Sequence, residues 1–457
     1  MIAFQLSEAA DLLHGQLRGE DASFVAVGTD TRTLSPGELF VAIKGPNFDG
    51  HDFLSVAAQQ GAVGALVDRE VDIELPVIRV NDSLHALGEL ASAWRAKSSA
   101  FVIGITGSNG KTTLKEMCAA ILAQESNKVL ATRGNLNNDI GMPLTLMRLQ
   151  DEKFAVIEMG ANHAGEIRYL TNIARPDVAV LNNAGRAHLE GFGSLEGVAR
   201  AKAEIMEGLS EHGTFVFNAD DRFAGLWREL AVGRKRVSFG VQRPAEVSSA
   251  PDSYRIEWGE AGFVAAFDVD AWGQNFEINL RLAGEHNRMN ALAAIAACRL
   301  AGADLPQIRT GLASLKPVAG RLAPLVGRGG ARLIDDSYNA NPESVIAALK
   351  VLSAAPGRRT LVLGDLGELG SEQRALHAEL GLRANEAGID RLISCGTLSQ
   401  AASESFAGES LHFDNQDALL EQLGERLTSE DSVLIKGSRA SAMDRVVKAL
   451  SAGATAC

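Results

Sequence analysis

Ten residues, Gly104-Ile105-Thr106-Gly107-Ser108-Asn109-Gly110-Lys111-Thr112-Thr113, lie between the apolar run Phe101-Val102-Ile103 and a helix-prone stretch at 114–124. Glycines let such a turn curl without Cβ clashes, so successive backbone N–H groups converge and a following helix adds its positive N-terminal end. The chemistry this favours is phosphate binding. Gly107, Ser108, Asn109, Gly110 and Thr113 form the cradle of a nucleoside triphosphate site. Lys111 reaches the terminal phosphates, and the Thr112 hydroxyl occupies the position that holds Mg²⁺ in such loops. The strict pattern wants a glycine five residues before Gly110, where this chain has Ile105, and the loop taken alone also reads as a plain turn.

Further along, Phe154-Ala155-Val156-Ile157-Glu158 is an apolar strand ending in a carboxylate. In a parallel sheet Glu158 then sits on the carboxyl edge beside the phosphate loop, as a metal ligand or as an ordinary solvated strand end. Asn182-Asn183 closes the next strand, and His188 follows in a glycine-bounded loop on the same edge, a plausible second metal ligand. The run Asn135-Leu136-Asn137-Asn138-Asp139 is either a hydrogen-bonded turn or a polar cradle for substrate. Residues 199–204 (Ala-Arg-Ala-Lys-Ala-Glu) read as the solvated charged face of a helix. His286-Asn287 reads as a helix cap, whereas Asp336-Ser337-Tyr338-Asn339-Ala340-Asn341-Pro342 clusters an acid, an aromatic and amides after a strand, suited to a ribose or a base.

The elements that must position these residues follow from periodicity. At 457 residues the chain exceeds one core, and three α/β domains are expected: 1–84, a connecting helix at 85–98, a central domain at 99–316 and a last domain at 317–457. The first alternates short β-rich runs (24–27, 38–43, 62–67, 77–80) with a helix at 53–60, and a helix is predicted over 83–97. Strands at 101, 154–157, 178–182 and 214–218 separated by helical patterns give the central domain the βαβ rhythm of a parallel sheet. Strands at 332–334, 360–363, 391–394 and 432–435 repeat that rhythm, so the last domain is Rossmann-like. A net charge of −13 excludes a general nucleic-acid surface. No run of 18 uninterrupted apolar residues predicts a membrane span, and the amino terminus lacks the pattern of an export signal. Four scattered cysteines fit a reducing compartment, and the cytoplasm is the expected location.

In order and spacing, the phosphate loop, the Asn135–Gly141 run, Glu158, the His188 loop, Lys202, His286-Asn287 and the 336–342 run resemble the Mur ligases, which build the peptide of bacterial peptidoglycan. Gly160-Ala161-Asn162-His163, the 336–342 run and Gly364-Asp365-Leu366-Gly367-Glu368-Leu369-Gly370 resemble the branch that adds D-alanyl-D-alanine to UDP-MurNAc-tripeptide. The resemblance implies a substrate domain, a central P-loop ATPase domain and a closing ligase domain, in a monomeric enzyme that uses ATP and two Mg²⁺ ions through an acyl phosphate. Lys111, His188 and Lys202 are its catalytic residues; Thr112, Glu158, His188 and Lys202, the last as a carbamate, hold metal. Asn287 and Tyr338 approach adenine, with Arg321 and Asp336 near ribose or phosphate. Thr31, Arg32, Asn47, Asp49 and His51 resemble uridine-diphosphate loops, and are otherwise ordinary turns. Asn135, Asn137, Asn138, Asp139, Asn339 and Asn341 are further substrate contacts, and Lys436 and Ser438 suit the dipeptide's carboxylate or a structural ion pair. Three other assignments are a sister ligase adding one amino acid, a folate polyglutamate ligase, and a nucleotide-gated binding protein. The missing Asp-Asn-Pro-Arg run argues against the first, the domain before the phosphate loop against the second, and the Glu158, His188 and Lys202 set against the third.

Overall fold

The computed structural model describes residues 1–186, 189–259, 262–423 and 426–452. Three main sheets follow one another along the chain. The first has five strands in the order Gln16–Arg18, Val77–Arg79, Gly64–Val67, Leu39–Val41, Val27–Gly28, all parallel except the first pair. The expected single run 24–27 is two strands: Ser23–Phe24 pairs with Phe4–Gln5, and Val27–Gly28 joins the main sheet. Different partners, which no local pattern reveals, split the run.

Helix Ser83–Lys97 begins at Asp82, whose carboxylate accepts the His85 N–H at 2.8 Å, and carries Arg95 and Lys97 in its last turn. Both ends suit the helix dipole. Its buried face, Leu87, Leu90, Ala91 and Trp94, joins the first domain to the second in one continuous core. Trp94 stacks on Phe4 at 5.5 Å and Phe24 at 6.4 Å, and its indole N–H donates to the Leu149 carbonyl at 2.8 Å.

The central sheet is parallel over Val129–Ala131, Phe154–Glu158, Phe101–Thr106, Val178–Leu181, Thr214–Asn218, Lys235–Gly240 and Val247–Ser248, in that spatial order. Antiparallel hairpins Arg255–Gly259, Gly262–Ala271 and Gln274–Leu280 extend it. Chain order reverses around Phe101–Thr106, which makes its carboxyl end the natural ligand crevice. The last sheet runs Ala323–Val326, Arg332–Asp336, Asp431–Lys436, Arg358–Gly364, Arg391–Cys395, Glu409–Phe413, antiparallel only in its first pair. Its edge strands went unread because they lack buried apolar alternation; Glu409–Phe413 is largely exposed. Helix Pro342–Ser353 opens with Asn341 as cap, reciprocated by Ser344, and Pro342 in the first turn.

Truncating Trp94 removes the stack that unites the first two domains. Trp94→Ala should lower the stability of that unit by about 3–5 kcal/mol, read as a fall in urea midpoint. An unchanged midpoint contradicts the shared core.

Candidate active site

Strand Phe101–Thr106 ends between Phe154–Glu158 and Val178–Leu181, so the loop 107–110, Glu158 and Asn182-Asn183 emerge side by side. Gly110 is left-handed (φ +79°), and a Cβ there would lie 2.5 Å from the Asn290 side-chain oxygen, so only glycine fits. Amides bolt the loop in place. The Asn109 N–H donates to Asn183 Oδ1 at 2.8 Å, and the Asn109 carbonyl accepts from Asn182 and Asn183 Nδ2 at 3.0 Å each. Asn182 Nδ2 also donates to Asn290 Oδ1 at 2.7 Å, and Asn290 Nδ2 to Asn287 Oδ1 at 3.1 Å, carrying the chain of amides onto helix Glu285–Leu300.

Lys111 Nζ curls back on the Gly107 carbonyl at 2.7 Å. Burial holds its pKa below the ordinary lysine value and Arg321 adds to this, while Glu158 opposes. A buried cation with a neutral acceptor is well placed to take an anion. Thr112 Oγ1 donates to Glu158 Oε2 at 2.9 Å, and Asn137 Nδ2 donates to Glu158 Oε1 at 2.8 Å.

The last domain supplies the opposite wall. Lys436, at the end of its strand, donates to Asp336 at 2.6 Å and to the Asn339 carbonyl at 3.1 Å. Burial raises the Asp336 pKa, with Lys436 the main opposing influence. The Tyr338 ring has the Arg321 guanidinium 4.4 Å and the Arg439 guanidinium 5.7 Å from its centroid. Polar contacts cross the gap between domains from Arg321 Nη2 to Thr112 Oγ1 at 3.0 Å, from Asn341 Nδ2 to Asn109 Oδ1 at 2.7 Å, and from Arg186 to Glu343 at 2.5 Å and Glu379 at 3.0 Å, while Phe263 and Ala283 join the last domain's apolar core. His286 stands in the same gap; burial, then Lys436 and Lys350, push its pKa down to about 4, so its ring is neutral at ordinary pH.

A cavity of about 770 Å³ lies between the two carboxyl edges, within the range of ligand pockets. Ser108 to Thr113, Asn135, Asn137, Asn138 and Glu158 line it from the central side. Asn287 and Arg321, then Asp336, Tyr338, Asn339, Asn341, Lys436 and Ser438, line the rest. Gly107 stands behind the loop, and Asp139 lies off the lining. His188 lies outside the described residues.

Lys202 does not line the cavity, and the expected solvated face at 199–204 is corrected by burial: Lys202 is 1% exposed and Glu204 8%. Glu204 accepts the Gly165 and Arg168 N–H groups, and Phe192 lies 5.6 Å from the Lys202 ammonium. Charge composition could not show this, because a neighbouring helix covers that face. Burial and, second, the charge of Lys111 push the Lys202 pKa down to about 7.

The first-domain residues stand apart from the cavity. Arg32 is exposed and forks onto Asp30, whose pKa falls to about 2 through that hydrogen bonding. Thr31 is half-buried and Asn47 exposed. His51 is buried between Asp49, at 2.7 Å, and Asp68, at 3.2 Å, and Asp49 also binds Arg69. Asn290 and Arg186 were not anticipated. Asn290 was within reach, since it shares a helix face with Asn287 three residues earlier. Arg186 was not, because its partners lie 157 and 193 residues away.

Reversing the charge at Arg186 tests the domain contact. Arg186→Glu sets three carboxylates together and should raise the radius of gyration in small-angle scattering, with Glu379→Arg partly restoring the compact form. No change in either variant contradicts a latch.

Comparisons with known proteins agree with this geometry. Residues 23–95 match the Mur ligase family catalytic domain, 105–298 the Mur ligase middle domain and 320–439 the Mur ligase glutamate ligase domain. The chain is 45% identical, over the whole of both sequences, to the UDP-N-acetylmuramoyl-tripeptide–D-alanyl-D-alanine ligase of Escherichia coli K12. A crystal structure of MurF from Acinetobacter baumannii superposes with a TM-score of 0.90 at 34% identity, covering 98% of each chain. MurF of Thermotoga maritima in complex with ADP superposes at 0.82 and 30% identity, covering 93% of this chain and 96% of that one. Strand order, phosphate loop and facing sheet edges thus have one common origin: this chain belongs to the Mur ligase family.

Proposed function

We propose that this enzyme joins D-alanyl-D-alanine to UDP-N-acetylmuramoyl-tripeptide, using ATP to activate the peptide's terminal carboxylate as an acyl phosphate. The observation that carries this is the end-to-end identity with a relative of that name, over the substrate, nucleotide and closing domains alike. A carboxylate accepts an amine poorly until one oxygen leaves as phosphate, so the protein's task is positioning and charge neutralisation.

The loop N–H groups, helix Lys111–Leu122 and Lys111 hold the triphosphate, while the Tyr338 wall receives the nucleoside with Asn287, Arg321 and Asp336. Thr112 and Glu158 offer adjacent hard oxygens, 2.9 Å apart, which suit an ion that keeps phosphate and water as its other ligands. Mg²⁺ there would neutralise charge on the transferred phosphoryl group. A second ion is assigned to His188 and Lys202. There the carbamate of Lys202 would supply an anionic oxygen ligand. Lys202 is suited to form one: only the neutral amine adds CO₂, and a pKa of about 7 leaves roughly half of it neutral at pH 7.

Asn135, Asn137, Asn138 and Asp139 are assigned to the peptide end of the UDP substrate. Thr31, Arg32, Asn47, Asp49 and His51 are assigned to its nucleotide end, with His51 holding Asp49 in place. Asn339, Asn341, Lys436 and Ser438 face the incoming dipeptide. The docked last domain excludes water from a hydrolysable acyl phosphate. No helix among the described residues is long and apolar enough to cross a membrane. On the family's precedent we assign the enzyme to the cytoplasm, as a monomer.

Phosphate release with Mg²⁺, ATP and UDP-MurNAc-tripeptide should require D-alanyl-D-alanine and yield a pentapeptide mass. Release driven equally by single amino acids, or without any amine, overturns the assignment. Lys202→Ala should lose most turnover and regain a fraction with added short carboxylic acids. Full activity in the untreated variant refutes the carbamate.

A further inference from the structure

The run 364–370 leaves one feature that the nucleotide and metal assignments do not use. Glu368 lines the interdomain cavity and holds a left-handed backbone, φ +59°, between Gly367 and Gly370. A side chain in that region is uncommon and strained, and glycine would relieve it, so its presence on a cavity wall points to use.

The loop is built to present this residue. Leu366 and Leu369 are buried in the last domain's core on either side of Gly367-Glu368. The Leu366 N–H donates to His377 Nε2 at 3.0 Å, and the Asp365 carboxylate accepts the Leu398 and Ser399 N–H groups at 3.0 and 2.8 Å. With both sides anchored, the exposed pair between them turns toward the cavity. The neighbouring strand end approaches closely. The Ser438 N–H donates to the Asp365 carbonyl at 2.9 Å, and a Cβ on Gly437 would come within 3.2 Å of Gly364 Cα. Glu368 therefore shares one rigid wall with Lys436, Ser438 and Arg439. That wall carries an anion beside cations, the charge pattern of a zwitterion. Glu158, Glu166 and Glu343 stand elsewhere, at the phosphate loop, on Asn162 and His163, and against Arg186, and Asp336 lies beneath Lys436.

We propose that Glu368 receives the ammonium group of the incoming dipeptide and is the residue that selects a free amine, while Lys436, Ser438 and Arg439 take its carboxylate. The inference rests on the D-alanyl-D-alanine reading above. It assigns Glu368 a binding role at the nucleophile's nitrogen, which places that atom before the acyl carbon.

Steady-state kinetics of Glu368→Gln and Glu368→Gly test it. Losing a charge-assisted hydrogen bond should raise KM for D-alanyl-D-alanine about ten- to a hundredfold in both variants. KM for ATP and for the UDP-tripeptide should stay within about twofold in both variants. Competitive inhibition by D-lactoyl-D-alanine, which carries a hydroxyl where the dipeptide has its ammonium, should be equal in parent and Glu368→Gln. An unchanged dipeptide KM in Glu368→Gln overturns the proposal, as does an equal loss of affinity for the hydroxyl analogue, which would mark a merely shaped loop. A parent enzyme with no D-alanyl-D-alanine-dependent phosphate release would instead overturn the reaction itself.

Discussion

Asn109 holds three segments of the chain at one point, and the catalytic arrangement depends on it. Its N–H and carbonyl are taken by the Asn182-Asn183 pair at the next strand end, and its side-chain oxygen accepts from Asn341 of the last domain. Buried amides are costly unless paired, so each partner constrains the next. The phosphate loop keeps its curl, helix Glu285–Leu300 is tied in through Asn290, and the last domain is held against the loop. The same contact that shapes the phosphate cradle therefore also sets the distance between the two carboxyl edges.

Around that polar seam the cavity carries both signs of charge, with Glu158, Glu166, Asp336, Glu343 and Glu368 on its walls among the cations. Lys111, Arg321, Lys436 and Arg439 converge on a cavity in a chain whose net charge is −13. Local placement, not overall charge, makes the site attractive to phosphates and carboxylates. Desolvation lowers the pKa of Lys111 and Lys202 and raises that of Asp336. In each case burial disfavours the charged form. For Lys111, which lines the cavity, an anionic substrate offsets that cost by supplying a partner of opposite charge.

Local pattern exposed much of the architecture and rather less of the site. Helix Ser83–Lys97 was legible because Asp82 caps it and Leu87, Leu90, Ala91 and Trp94 repeat at helical spacing. The central strands were legible because parallel strands buried on both faces are nearly continuous apolar runs. Edge strands Glu409–Phe413 and Ala323–Val326 were not, since exposure removes that signal. Within the site, loop 107–110 and Glu158 stood out by residue type and position. Lys202 did not: surrounded by Arg200 and Glu204, it reads as a surface charge until the packing of Phe192 and the neighbouring helix buries it.

What the sequence by itself determined is the set of local devices: a glycine turn opening a helix, a carboxylate closing a strand, an Asn-Pro helix start, and a resemblance that orders them along one chain. These depend on neighbours a few residues away, through backbone freedom, hydrogen-bond capacity and periodicity. Only the tertiary structure decided which of them meet. Arg321 reaches Thr112 across 209 residues and Arg186 reaches Glu343 across 157, while Glu368 joins the Lys436 wall because Leu366 and Leu369 anchor its loop. Such contacts carry no short-range sequence signal, because they arise when two sheets distant in sequence bring their carboxyl edges face to face.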